Sequence, residues 1–257
     1  MNNLLLATIA SSRRRVAEFN TLDHSPALWL DSSVASSVYD STSGGSLVSA
    51  NGAIARLEDL SGNSRHYTQS TSGYRPLRKT SVYNGLDVVR FDGVDDKMIG
   101  PVIVSGTTAR TIFMVAKCFN SGVVGMFGLG GGVSSIAGSQ FDITPEIRVR
   151  AFQRQDFNSA MGTTSLKLLR IQCAANINIG SIRGWLNGTQ MTGTPTGTYS
   201  LNTEAVSSTL GSGPGGSQVG INFAQLDLCE IRVFPSDFST ELCVACESQL
   251  TSKWAIS

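Results

Sequence analysis

The chain has 257 residues, a charged fraction of only 15% and a formal net charge of +1. No field of either sign exists to attract nucleic acid or an anionic membrane surface, so neither is expected as a partner. The length suffices to bury a real core without staples, and the abundant Gly, Ser and Thr suit many short strands joined by turns better than helices.

The start, "MNNLLLATIASSRRRVAEF", places Arg13, Arg14 and Arg15 after its apolar stretch. A signal peptide has the opposite order, and the stretch is too short to span a bilayer. Residues 1–24 are expected to form an N-terminal arm, with Leu4, Leu5, Leu6 and the arginines available for assembly contacts, followed by one domain over 25–257. Strand-like runs then follow at 27–30, 86–91, 111–118, 123–129, 147–153, 166–173, 182–186, 218–223 and 226–234. Turn clusters such as "STSGG", "SGNSR", "GLGGG" and "GSGPGG" separate them. Asn187-Gly188 between two apolar runs predicts a type I′ hairpin. One helix is predicted near 239–254, capped by Ser239, with Glu241 in its first turn and Leu242, Cys243, Cys246, Leu250 and Trp254 at helical spacing. Strands throughout, with no βαβ alternation, predict an all-β, two-sheet antiparallel jelly-roll sandwich with Trp29, Trp185 and Trp254 largely buried.

Few residues carry an obvious chemistry. His24 and His66 are far apart, no nucleophile elbow is present, and both read as surface or turn residues. "GSGPGG" (211–216) matches a dinucleotide fingerprint in spacing only, since a Pro lies inside it and a strand-like run follows. The five cysteines are an odd number and do not form a secreted disulfide framework. Cys243 and Cys246 share the apolar stripe of the predicted helix, which favours packing over metal or redox work.

"QLDLCEIRVF" (225–234) resembles the E-x-D-x-x-E strand of laminarinase-like retaining glycoside hydrolases. Asp227 and Glu230 fit the pattern, but Gln225 stands where the first Glu belongs, and an amide cannot form the glycosyl ester. The expectation is therefore no enzyme and no catalytic residue. In "IRVRAFQR" (147–154) alternation puts Ile147, Val149 and Ala151 toward the core. Arg148, Arg150, Phe152 and Arg154 then share the outer face, where they could stack on a sugar, bind an acidic glycan or meet a partner, or simply form a solvated face. "NGLDVVRFDGVDDKM" (84–98) ends an apolar run in a turn holding Asp92, Asp95 and Asp96. Those carboxylates could bind a metal, perform acid–base chemistry, or build a tight loop.

Taken in order, "SPALWLDSS" (25–33), "AIARLEDLSGNSRHYTQ" (53–69), "NGLDVVRFDGVDDKM" (84–98), "RTIFMVAKC" (110–118), "RGWLNGTQM" (183–191) and "LCEIRVFPSDFSTELCVACESQLTSKWAI" (228–256) resemble the concanavalin A-like lectin/glucanase superfamily. Within it the likeness is to the laminin-G-like jelly rolls common in bacteriophage structural proteins and bacterial surface proteins. It spans about residues 25 to 256 and departs at Leu57, where such domains often carry a Trp. The resemblance implies that F-D-G-x-x-D is a structural loop: Asp92 accepts backbone N–H bonds, Gly93 supplies flexibility and Asp96 closes the turn. Asp59 and Asn63 in "DLSGNS" follow the same logic. No metal and no cofactor are expected. The resemblance makes the leading expectation a non-enzymatic virion structural protein, a capsid decoration or tail/fibre subunit assembled in the host cytoplasm. Its partners would be other virion proteins, a second copy of itself as a homo-oligomer, and possible surface glycan. The alternative is a carbohydrate-binding module that recognises host-surface glycan through its loops or the Arg148/Phe152 face, with a glycoside hydrolase third.

Overall fold

The computed structural model describes residues 19–122, 124–131, 140–151, 153–213 and 223–257, with the side chains at 140, 150, 151 and 153 outside the description. The described residues form two antiparallel sheets and one long helix near the C-terminus.

The first sheet has eight strands, in the order Thr189–Gln190, Arg183–Leu186, Lys167–Cys173, Arg110–Cys118, Gln225–Phe234, Leu86–Asp92 and Leu77–Tyr83, with Leu28–Asp31 also paired to Gln225–Phe234. The second has ten, in the order Gly193–Pro195, Gln153–Phe157, Arg148–Ala151, Gln140–Ile143, Phe127–Gly130, Ser208–Leu210, Met98–Gly100, Tyr67–Thr68, Arg56–Leu57 and Val38–Tyr39. An all-β sandwich is thus what the strand signals and turn clusters produce.

Strand Arg110–Cys118 shows why the first sheet lacks a polar face. Its even-numbered residues Ile112, Met114, Ala116 and Cys118 join the core between the sheets. Phe113 and Val115 point the other way, into a second core beneath the helix. A strand buried on both faces reads as a continuous apolar run. The helix Thr240–Trp254 covers that outer face; Ser239 Oγ accepts the Leu242 N–H at its start, and Cys243, Cys246, Leu250 and Trp254 are buried as their spacing predicts. Ala255, at φ 49, ends it in the left-handed region.

The hairpin at Asn187-Gly188 forms with φ 48 and 77, the two positive values a type I′ turn requires. Trp254 is buried, whereas Trp29 and Trp185 are only half-buried, Trp29 on a strand with a single pairing neighbour. Residues 19–24, placed in the arm by sequence, pack on the sandwich. Phe19 stacks on His24 with ring centroids 4.7 Å apart and meets Phe234 edge-on at 6.2 Å. The assembly residues Leu4, Leu5, Leu6, Arg13, Arg14 and Arg15 lie outside the described residues, as does most of the strand expected at 218–223.

Candidate functional site

One end of the sandwich gathers several groups suited to ligand binding. Strand Leu86–Asp92 carries Asp92 to this rim, where it pairs with Gln225. Gly93 follows at φ 78, and a Cβ there would come within 2.7 Å of the Gln225 side chain, so glycine is required on both counts. Asp92 Oδ1 accepts from the N–H groups of Val94 (2.8 Å), Asp95 (3.3 Å) and Asp96 (3.3 Å). Asp96 Oδ2 accepts from Asp92 N–H at 2.9 Å and closes the loop. The "DLSGNS" turn works the same way: Asp59 accepts from the N–H groups of Trp29, Ser61 and Arg65.

The turn does more than cap itself. Asp92, Asp95 and Asp96 each bring a carboxylate oxygen within 4.8 Å of the others, close enough to hold a cation. Burial lifts the Asp96 carboxyl to about 6, and the charges on Asp92 and Asp95 add to it. Lys97 comes next. Its N–H donates to Tyr74 O at 3.1 Å, and Gln69 Nε2 donates to its carbonyl at 2.8 Å. The Lys97 ammonium lies 5.6 Å from the Tyr74 ring centroid and 5.9 Å from that of Phe223. Asn120 fastens the neighbouring loop, donating to Phe223 O at 3.2 Å and accepting from Gln225 N–H at 3.0 Å. Tyr74 is 40% exposed and Val94 70%. An exposed ring next to an ammonium, with carboxylates and an amide on the adjoining loops, can take the apolar face of a sugar and hold its hydroxyls.

The hydrolase-like strand is built differently. Asp227 is buried and receives both Arg90 Nε (2.6 Å) and Nη2 (2.7 Å), with Tyr83 OH donating at 2.9 Å. Glu230 is also buried. Its Oε1 accepts from Trp29 Nε1 at 2.9 Å and Arg232 Nε at 2.7 Å, and its Oε2 from Lys253 Nζ at 2.8 Å and Trp254 Nε1 at 3.0 Å. Burial alone would raise this carboxyl, but Arg232 and Lys253 outweigh it and hold it below its ordinary value. Lys253 also pairs with Asp31. These groups knit the helix to the sheet and leave no open carboxylate for a sugar.

The basic face is internally neutralised where it is described. Arg148 pairs with Glu146 (2.8 Å) and Asp156 (3.3 Å), and Arg154 pairs with the same Asp156 (2.8 Å). Ile147 and Val149 are buried as alternation predicts. Arg150 stands opposite both Asp142 and Arg154 in register; its side chain, and Phe152 altogether, lie outside the described residues. His66 Nδ1 accepts from Asp59 N–H at 3.1 Å, a turn role. All five cysteines are buried free thiols, and burial pushes Cys246 up to about 12, far from a reactive thiolate.

No protein-family model and no curated protein matches this chain in sequence. Solved structures match it in fold. An arabinofuranosidase complexed with arabinofuranosyl-α-1,2-xylobiose aligns over 89% of this chain and 63% of its own, with TM-score 0.62 and 14% identity. A mutant GH54 α-L-arabinofuranosidase soaked with 4-nitrophenyl α-L-arabinofuranoside gives 91%, 60%, 0.58 and 13% for the same quantities. A Trypanosoma rangeli sialidase complexed with 2,3-difluorosialic acid gives 89%, 33%, 0.53 and 11%. The chain therefore spans about three fifths of the length of the arabinofuranosidases.

These likenesses correct two expectations. A virion structural subunit was expected, but the solved structures named above are arabinofuranosidases and a sialidase, which runs against that expectation and favours the glycan-binding alternative. The expectation that the chain is no enzyme falls to the same finding. It had rested on Gln225 in a strand whose two carboxylates are structural. Tyr74, Lys97, Asn120 and Phe223 were not singled out from sequence. The one available signal was an aromatic residue inside the turn cluster "TSGYRP".

Proposed function

We propose that this chain is a glycan-recognition domain of carbohydrate-active type, a single jelly roll of the concanavalin A-like lectin/glucanase kind, binding sugar at the rim formed by Tyr74, Lys97, Phe223, Asn120 and the Asp92–Asp96 loop. The observation that carries this reading is the pair of aromatic rings flanking Lys97, the residue that follows the three-carboxylate loop in the chain. The fold likeness to arabinofuranosidases supports it. Tyr74 offers its exposed ring to the C–H face of a pyranose or furanose, while Asp95 and Asn120 accept and donate to hydroxyls. Asp92 keeps its turn role, and the loop works without a metal. Titrating ¹⁵N-labelled protein with arabinofuranosyl-xylobiose, lactose and β-glucan oligomers tests this. Saturable shifts clustered at Tyr74, Lys97, Val94 and Asn120 are expected; shifts elsewhere, or none, would refute the site.

Hydrolysis at the same rim is the second reading, favoured by one arrangement. The acidic loop places carboxylate oxygens within 4.8 Å, near the roughly 5 Å separation of retaining pairs, and Asp96 at about 6 could carry the proton. Release of 4-nitrophenol from aryl α-L-arabinofuranoside, abolished in Asp95→Asn, would establish it over simple binding.

A further inference from the structure

A second cavity lies at the opposite end of the sandwich. Strand Gln225–Phe234 starts at the rim and runs for ten residues, about 30 Å, to Pro235. There Leu22, Ser25, Pro26, Asn63, Arg65 and Pro235 help line an open depression of about 420 Å³. The volume suits one or two sugar rings.

Arg65 is the unusual member. Its Nη1 donates to the carbonyls of Ala27 and Ile103, both at 2.9 Å, which fixes the guanidinium plane. Its Nε and Nη2 donate to no described residue, and it forms no ion pair among the described residues. The nearby Asp59 is occupied, accepting backbone N–H groups and the Ser61 hydroxyl at 2.7 Å. The free edge is the one that Arg90 turns toward Asp227 elsewhere in this molecule, at 2.6 and 2.7 Å. A pre-fixed guanidinium with that edge open, on a pocket wall, is built for a carboxylate held by two parallel bonds.

The surroundings narrow the ligand. Asn63 is braced by donating to Pro26 O (2.8 Å) and Ser61 Oγ (2.9 Å), which leaves its Oδ1 able to accept. Ser25 is exposed, held at φ 50 where its backbone N–H bonds Leu22 O at 3.3 Å, and its hydroxyl is uncommitted among the described residues. Leu22, Pro26, Ile103 and Pro235 supply apolar wall. A carboxylate flanked by hydroxyls on an apolar ring face matches this set, whereas an extended peptide wants a groove with backbone donors along it.

We infer that this cavity binds an acidic saccharide, a uronic or sialic acid residue, with its carboxylate on the Nε/Nη2 edge of Arg65. The site shares a ligand class with the rim but none of its residues.

Calorimetric titration of the whole chain with trigalacturonate and with 3′-sialyllactose tests it, using methyl-esterified trigalacturonate and lactose as neutral controls. At least one acid should bind saturably, weaken as salt rises and shift the Arg65 Nε–Hε resonance; the neutral controls, which can occupy only the rim, should leave that resonance in place. Arg65→Gln and Arg65→Lys should each lower that affinity about tenfold or more. The Lys variant keeps a charge near the two carbonyls but lacks the fork, and a melting temperature matching the parent's excludes unfolding as the cause of the loss. Tyr74→Ala should leave acidic-sugar binding unchanged, so failure here is separable from failure at the rim. An equal shift of the Arg65 resonance with the neutral controls, acid binding that survives both Arg65 substitutions, no binding by either acid, or equal affinity for tetraglutamate would each overturn the inference.

Discussion

Two groups of carboxylates occupy opposite environments in one sandwich. Asp227 and Glu230 lie beneath the helix with every oxygen committed to arginine, lysine, tyrosine or tryptophan donors. Asp92 lies exposed on a rim, its carboxylate accepting the backbone N–H groups of Val94, Asp95 and Asp96, with the half-buried Asp95 carboxylate beside it. The first group resembles a catalytic motif in sequence and acts as a clamp. The second reads as a mere turn and occupies the better position for a ligand. Residue type and spacing nominate a site, but the supply of competing donors decides whether it remains available.

The largest expected effect comes from breaking the clamp. Glu230→Gln leaves Arg232 buried without its counter-charge and Lys253 with Asp31 alone, and removing one member of such a buried group costs about 3–5 kcal/mol. Urea unfolding should show the loss. Because the folded-state carboxyl is held low, its contribution is present above the ordinary glutamate range and fades as pH falls through the depressed value. A loss below about 1 kcal/mol would mean the clamp contributes little.

The rim predicts the opposite sign. Asp96 is raised to about 6, so its ionisation disfavours the folded state. Stability should be unaffected below about pH 4, decline between pH 4 and 6, and stay lower above that. Asp96→Asn should remove this decline and stabilise the protein at pH 7 by about 2 kcal/mol, measured as a rise in melting temperature across a pH series. A variant that tracks the parent at every pH would show that neither burial nor the neighbouring carboxylates raise Asp96. Calcium should give the smallest effect: no greater rise in melting temperature than magnesium. A calcium-specific rise lost in Asp92→Asn would turn the acidic loop into a metal site.

Much of the frame was legible in the sequence for local reasons. Ser239 and the Cys243–Cys246–Leu250–Trp254 stripe define a helix because capping and period are short-range, and Asn187-Gly188 defines its hairpin through the positive φ that both residues tolerate. The Asp92 and Asp59 turns were readable for the same reason. Strand Leu77–Tyr83 was not, since its polar residues face solvent at a sheet edge where only one neighbour pairs with it. Glu230 was misleading because of a bulge. Strict alternation from Leu228 would send Glu230 into the inter-sheet core, but the register shifts between Leu228 and Glu230 and places it beside Cys229 on the helix side. The rim escaped notice because Tyr74, Asn120 and Phe223 meet only through folding, and no local pattern links them.

The central claim is that the rim recognises sugar through an exposed aromatic. Glycan-array binding by the wild-type chain and by Tyr74→Ala, with melting temperatures recorded alongside, tests it most directly. The account predicts saturable binding to a defined set of glycans, reduced about tenfold by the substitution at an unchanged melting temperature, as loss of about 1.4 kcal/mol of stacking requires. Glycan binding that Tyr74→Ala leaves intact, or no glycan binding at all, would contradict it.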